Sequence, residues 1–368
     1  MKNKNYLKNK KEIVLNIIYI PIKAVNVICI LALLLSLLSK YLSPDIWHIP
    51  AYLGLVFPII LLVNFSFAIF WICVMQWRWL LCSFIAIVLS FVSVRSTFGF
   101  STQTSPPLIG ESISLMSYNV CACQNFKKTG ENTLLKYIAS QNADIVCLQE
   151  FAISTQANFL TLWDVCNALK QYPYRHIDFK NNNGRRKSGV ATFSKYPIIN
   201  KKRIPIESSF NSAQYSDIVV KGDTIRVFNN HLESNRLTGG NILSLEKKTI
   251  QEYTSVLTDK LSVAYKIRAK QANTIAEEIE LSPYKAIVCG DFNDVPISYT
   301  YHKIKGDLKD AFVENSWGMG TTFHGSWLRI RIDYMLHDAD LQSFGYKRDR
   351  VNHSDHYPIM CSFKINNE

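Results

Sequence analysis

In the stretch Val288-Cys289-Gly290-Asp291-Phe292-Asn293-Asp294, a carboxylate and an amide stand two residues apart, directly after the apolar run Ala286 to Cys289. Such a run reads as a buried strand. At the C-terminal edge of a strand, this spacing lets Asp291 and Asn293 both point out of the sheet end into a cleft. A carboxylate there can take a proton from water, and an amide N–H can hold an oxyanion. Alone, the same residues also describe a strand followed by an Asx-turn. What tips the balance is that other strand-like runs also end in polar residues: Asn119, Glu150, His231 and Ser354-Asp355-His356. Asp333, within Arg331-Ile332-Asp333-Tyr334, is a further candidate. Each is commonplace alone, and a lone His is more often structural than catalytic; the set, in this order, is not commonplace.

The succession Tyr118-Asn119-Val120, Leu148-Gln149-Glu150, Asn230-His231-Leu232-Glu233-Ser234, Gly290-Asp291-Phe292-Asn293-Asp294, Ile332-Asp333-Tyr334 and Ser354-Asp355-His356 resembles the endonuclease/exonuclease/phosphatase superfamily. The run Ser188 to Ile198 looks like that family's central strand and turn. The resemblance covers about residues 111–365. It implies a four-layer α/β/β/α sandwich with the site at one edge of two packed sheets. It implies Glu150 as the principal Mg²⁺ ligand with Asn119 beside it, and Asp355 as a supporting or alternate ligand. Mn²⁺ is expected to substitute. Asp291 would orient or deprotonate the attacking water, and Asn293 would bind a phosphate oxygen. His356 would contact the scissile phosphate, Asp333 would fix its tautomer, and His231 would be a second phosphate-side histidine. The implied reaction is in-line attack of water on a phosphate ester. Mg²⁺ suits such a site because it takes oxygen ligands and keeps several waters.

One position departs from the abasic-site branch of the family: Cys121 stands where that branch has a metal-supporting Asp. With the His-Leu-x-Ser form at His231, this points toward the branch of deoxyribonuclease I, sphingomyelinases and phosphatases. Tyr174 sits where many members place a substrate-side aromatic, although strand aromatics are usually core. The basic runs Gly184 to Lys187 and Lys201 to Arg203 could meet a nucleic-acid backbone or anionic headgroups; the plainer reading is solvated loops. The expected substrate is a phosphoester, in nucleic acid or a lipid headgroup, and no protein partner is predicted. The rival classes are a non-catalytic membrane scaffold, disfavoured because Glu150, Asp291 and His356 are all present, and a transporter, disfavoured because no ionisable pair sits mid-span.

The elements that must position these residues are an alternation of strands and helices. Ile113–Val120, Asp144–Leu148, Ser188–Phe193, Asp217–Val220, Thr224–Asn229, Arg329–Leu336 and Tyr357–Phe363 read as strands. Residues 131–140 read as a helix, and so does Leu261–Ile279. The inward stripe of the latter, Leu261, Ala264, Arg268, Ala272, Ile275 and Ile279, contains an arginine whose expected place is a helix edge, with its head in water.

Ahead of this lies a different kind of sequence. Of 368 residues, 48% are hydrophobic and 19% charged, and the apolar excess falls before residue 100. Residues 1–100 hold nine Lys/Arg against two Asp/Glu, and the remainder 32 against 27, so the net charge of +12 is mostly a membrane-flanking feature. Apolar segments at about 13–38, 51–74 and 79–95 predict about three membrane helices over residues 1–95. The basic N-terminus places itself in the cytoplasm, and three spans then put the catalytic domain on the outer face. The expectation is a multi-pass protein of a bacterial inner membrane with a periplasmic catalytic domain. The Ser/Thr/Pro-rich residues 96–110 read as a linker and 111–368 as the catalytic domain. The nine Cys have no zinc-finger spacing. Cys147 and Cys289 read as core, and Cys121 and Cys123 as reduced thiols.

Overall fold

The computed structural model describes residues 2–102, 111–121, 132–156, 159–208, 210–235, 250–325 and 329–365. Cys123 and most of the expected linker, 103–110, lie outside them. Helices α1 (Lys2–Leu37), α2 (Ile49–Leu55), α3 (Phe57–Cys73), α4 (Trp77–Leu89) and α5 (Phe91–Thr97) come first, then β1 (Gly99–Phe100) and β2 (Glu111–Asn119). Next are α6 (Thr133–Gln141), β3 (Ile145–Ser154), α7 (Leu162–Ala168), β4 (Tyr174–Asn182), β5 (Arg186–Ser194), β6 (Ile198–Ile204), β7 (Ala213–Val220) and β8 (Asp223–His231). The chain continues with α8 (Ile250–Glu280), β9 (Lys285–Asp291), α9 (Tyr299–Lys305), β10 (Lys309–Asp310), α10 (Ala311–Asn315), β11 (Trp317–Gly318), β12 (Asp333–His337), β13 (Gln342–Arg348) and β14 (Ile359–Ile365).

Two six-stranded sheets form, in the orders β13-β14-β2-β3-β5-β4 and β10-β12-β9-β8-β7-β6. In each, one central pair is parallel, β2–β3 and β8–β9. A parallel pair needs a long crossover, here containing α6 and α8. Alternate residues of the central strands face the other sheet: Ile113, Leu115, Ile145 and Cys147 meet Ile225, Val227, Ile287 and Cys289 in one buried cluster. The intervening residues face helices. Met116, Val146 and Leu148 pack with Leu134, Ile138 and Val165 of α6 and α7, and Phe228 and Val288 with Ala272, Ile275 and Ile304 of α8 and α9. Burial on both faces is why these strands read as continuous apolar runs.

The N-terminal helices do not hang free of this body. Leu33, Phe57, Leu61 and Ala86 enclose Val295 and Ile297, with Ile330 beside them. Tyr52 Oη donates to Thr258 O (2.7 Å), and Arg331 Nη2 donates to Ser96 O (2.6 Å). Within the helices, Asn26 accepts from Trp71 Nε1 (2.8 Å) and donates to Ser83 Oγ (3.2 Å), tying α1, α3 and α4 together. Polar side chains bonded across apolar helices commonly hold such bundles.

Several expectations are corrected. Only Tyr19–Lys40 is a single described helix long and apolar enough to cross a membrane. The second and third segments are broken, with α2 and α3 meeting at 75° and α4 and α5 at 50°. The break between α2 and α3 follows from Pro58, which has no N–H to continue a helix from α2. The expected linker starts ordered, since Thr97 ends α5 and Gly99–Phe100 pairs with Trp317–Gly318. Strand β3 does not stop at Glu150 but runs on to Ser154. Arg268 does not reach water. It is fully buried, with Nη1 donating to Glu233 O and Asn235 Oδ1 (both 2.8 Å) and Nε to Asp294 Oδ2 (3.3 Å). A stripe of apolar spacing locates a buried face and leaves open which polar partners lie across it. Lys201 to Arg203 are strand β6, not loop; Lys202 pairs with Glu278 (2.8 Å) and Arg203 with Asp178.

Candidate active site

The C-terminal ends of the two parallel pairs meet at one end of the sheets. Across β8, β9 and β12, His231, Asp291 and Asp333 lie in register as one row. Opposite, β2 ends at Asn119, whose register partner on β3 is Gln149, next to Glu150. His356 comes from the loop before β14, where it bridges Phe323.

Backbone strain aims two of these side chains. The β3–β5 register shifts between Leu148 and Phe151, and Glu150 sits there with φ +51°. Asn293 has φ +53°. A left-handed glutamate is costly and persists where its surroundings over-determine it. Gly290 has φ +130°, and a Cβ on it would lie 1.9 Å from Asn230 O, so only glycine lets β8 and β9 come together beside Asp291.

Asn119 Nδ2 donates to Asp291 Oδ2 (2.9 Å) and approaches Glu150 Oε1 (3.3 Å), while its Oδ1 accepts from Cys121 N (2.9 Å). Its amide oxygen is thus turned toward Cys121 N, and its Nδ2 stands as a donor between two carboxylates. Asn293 is likewise engaged: its N–H donates to Asp291 Oδ1 (2.8 Å), and its Nδ2 to Leu232 O (3.0 Å) and Asp291 Oδ2 (3.3 Å). His356 Nδ1 meets Asp333 Oδ2 at 2.8 Å, and Asp333 N donates to Thr322 Oγ1 (3.0 Å). His356 Nε2 and His231 Nε2 stand 3.7 and 3.9 Å from Asp291 Oδ2, and His231 Nε2 is 3.7 Å from Glu150 Oε1. These gaps are too long for direct hydrogen bonds. A water or phosphate oxygen can bridge them.

Electrostatics separates the roles. Burial, then the charge of Asp333, raises Asp291 to about 6, against the pull of both imidazoles. Burial opposes a charge on His356, but Asp333 and Asp291 outweigh it and lift the group to about 10. Burial lowers His231, only partly offset by Asp291. Burial also raises Glu150, with Asn119 and His356 pulling it down and Asp355 pushing it up. Here, then, are a carboxylate poised near neutrality, a charged imidazole and a neutral one.

Four carboxylates, Glu150, Asp291, Asp333 and Asp355, act on two imidazoles here. That surplus of negative charge and the oxygen donors fit a divalent cation. The ligand atoms of Asp291, Asp333 and His356 lie within 4.8 Å of one another. Within that group, His356 Nδ1 is engaged by Asp333 Oδ2, and Glu150 and Asp355 nearby are partly exposed.

Glu150 and His231 form the floor of a cleft of about 640 Å³ whose walls include Asn181, Asn182, Arg186 and Phe210. Of the two basic runs, only the first reaches it. Tyr174 does not: it pairs with Ser194, which lies opposite Ile145, roughly 15 Å along the strand from Glu150. Sequence reasoning missed Asn211, whose Nδ2 lies 3.1 Å from His231 Nε2, and Thr322 beneath Asp333. Neither follows a strand end, the pattern that marked the others.

No curated protein matches the chain. Solved structures that resemble it include an endonuclease/exonuclease/phosphatase from Beutenbergia cavernae (14% identity, 69% of this chain and 72% of that one, TM-score 0.48). Others are the human Nocturnin catalytic domain with bound sulfate anion (16%, 70% and 96%, 0.47) and sphingomyelinase C from Streptomyces griseocarneus (16%, 68% and 99%, 0.43). Residues 16–97 match a family model described as a domain of unknown function (DUF8431). Residues 116–356, which include every strand end of the site, match the model of the Endonuclease/Exonuclease/phosphatase family, and the chain belongs to that family.

Proposed function

We propose that this protein is a membrane-anchored, Mg²⁺-dependent phosphodiesterase that hydrolyses its substrate by in-line attack of water. Enzymes of its family are generally phosphoester hydrolases using divalent metals. The observation behind the reading is the set of gaps around Asp291 Oδ2, with a charged His356 on one side and a neutral His231 on the other. Asp291 takes the proton of the attacking water. Asn119 and Asn293 orient it, so Asn293 serves the base and not the phosphate. His356, held by Asp333, stabilises charge developing on the phosphate oxygens. His231, steadied by Asn211, supports the leaving-group side. Glu150 and Asp355 would hold the cation, which supplies Lewis-acid polarisation of the phosphate.

The stacking of helices outside two packed sheets supports the four-layer sandwich. If each bent pair is one span and the Lys-rich N-terminus is cytoplasmic, three passes would put the catalytic domain outside a bacterial inner membrane.

A lipid-headgroup substrate is favoured over nucleic acid by one contact. Val295 and Ile297, just past Asn293, and Ile330, just before Asp333, sit against the helical region. The loops flanking the site therefore lie close to where a bilayer would begin.

The test is Mg²⁺-dependent hydrolysis by the full chain in detergent, with Asp291→Asn as the blank. Substrates are plasmid DNA, RNA, sphingomyelin, phosphatidylinositol phosphates and a bis-aryl phosphodiester. Headgroup release above the blank supports the lipid reading, and plasmid nicking replaces it with a tethered nuclease. No hydrolysis above the blank on any substrate removes the assignment.

A further inference from the structure

Residues 330–333 lead into β12, with the helical region on one side of them and the candidate site on the other. Ile330 packs against the cluster of Leu33 and Phe57. The Arg331 side chain is 1% exposed. Its Nη1 donates to Asp310 Oδ2 (2.7 Å). Its Nη2 donates to Ser96 O (2.6 Å), 235 residues away in the last turn of α5. The next two residues hold the site. Ile332 O accepts from Phe292 N (2.9 Å), which fixes the backbone directly after Asp291. Ile332 N and Asp333 N both donate to Thr322 Oγ1 (3.0 Å each), and Asp333 Oδ2 meets His356 Nδ1. Arg331 thus stands two residues from one carboxylate of the site and, through Ile332, one hydrogen bond from the backbone beside the other.

A buried Arg–Asp pair by itself only braces a fold. Arg331 differs because one arm of its fork ends on a helix of the apolar region. Carbonyls in the last turn of a helix have no partner within it, and a cation there is favourable. The rings of Phe312 and Tyr334 lie 4.4 and 4.8 Å from the guanidinium. Tyr334 Oη donates to Arg331 O (3.0 Å) and to Asp294 O (2.8 Å), which ties the same segment to the turn after Asn293. A guanidinium spans two acceptors in a rigid fork that an ammonium does not reproduce. We propose that Arg331 is a positioning residue for the hydrolysis, setting Asp333 and the backbone beside Asp291 against the end of α5. The helical region is then a working part of the site and not only its anchor. The inference rests on the roles given above to Asp291, Asp333 and His356.

The test uses the full chain in detergent and the soluble bis-aryl phosphodiester, which reaches the site without a membrane. Arg331→Lys keeps the charge beside Asp310 and loses the fork. It should lower kcat about 10- to 100-fold with KM within about twofold, since an error of about 1 Å at the reacting groups costs that much. Arg331→Lys/Asp333→Asn should lose no more than Asp333→Asn alone, because both changes act through one carboxylate. Losses that multiply overturn the proposal, and so does a raised KM with kcat unchanged. Hydrogen exchange followed by mass spectrometry gives a readout without turnover. Arg331→Lys should speed exchange at residues 94–98, 291–293 and 330–333 and leave β6 and β7 as in wild type. Exchange unchanged at 291–293 and 330–333 overturns the link to the site. Faster exchange throughout the domain assigns a general loss of stability and also overturns it. If Arg331→Lys fails to fold, Asp310→Asn is read in the same way, since it keeps an acceptor for Nη1 and removes only the charge. Absence of hydrolysis in the wild type removes the functional assignment, and exchange then still decides whether α5 and Asp333 are joined.

Discussion

His356 Nδ1 and Asp333 Oδ2 are joined at 2.8 Å, and this bond reaches from the loop before β14 to the first residue of β12. It fixes which imidazole nitrogen faces Asp291, and the Asp333 carboxylate is the largest influence raising His356 to about 10. Asp333→Asn should therefore lower kcat by about 10²- to 10⁴-fold with little change in KM. The alkaline limb of the kcat–pH profile should move to lower pH, because His356 loses its proton earlier. An unmoved alkaline limb would show that His356 does not act as a cation.

Gly290→Ala should destabilise the protein by about 3 kcal/mol or more. The backbone there is left-handed, and the new Cβ would strike Asn230 O. Thermal unfolding of the full chain checks this. A shift within about 1 °C of wild type would mean that β8 and β9 can part without cost.

Arg268 and Asp294 form a buried pair that ties α8 to the turn after Asn293. Arg268→Met strands the Asp294 carboxyl, which Thr300 also holds (2.9 Å), and should cost about 3–5 kcal/mol. The double variant Arg268→Met/Asp294→Asn should recover part of that loss. Equal melting of the single and double variants would place the cost elsewhere.

EDTA should silence hydrolysis, and Mg²⁺ or Mn²⁺ should restore it. Glu150→Gln should raise the Mg²⁺ concentration for half-activation about tenfold or more. Full activity in chelator would rule out the metal-dependent mechanism.

His176 bears on pH stability away from the site. Burial, then the charge of Lys201, lowers it to about 4, and its Nδ1 lies 2.9 Å from Ser216 Oγ. An unfolded histidine titrates near 6.5. Between those values the unfolded chain binds a proton that the folded chain does not. The contribution of His176 is thus complete above about pH 6.5 and falls by about 1.4 kcal/mol per pH unit toward pH 4. Wild type should lose more melting temperature than His176→Gln between pH 7.5 and pH 5. Parallel losses would show that His176 takes up its proton without unfolding.

The sequence determined the central strands because each carries apolar residues on both faces, a pattern that few other structures can bury. It marked Asp291, Asp333, His231, Glu150 and His356 because each ends, begins or interrupts such a run. It could not place Tyr174, since a strand aromatic looks the same at either end of a sheet. It could not place Arg268 in the core either, since helical spacing shows which face is buried and not what lies across it. The tertiary structure decided that Asn119 turns its amide onto Asp291, because that bond joins segments far apart in the chain. It also decided that the N-terminal helices brace the loops beside the site and are not a free tether. That contact depends on Val295, Ile297 and Ile330 meeting Leu33 and Phe57, and no local pattern of apolar residues states which distant surface will cover them.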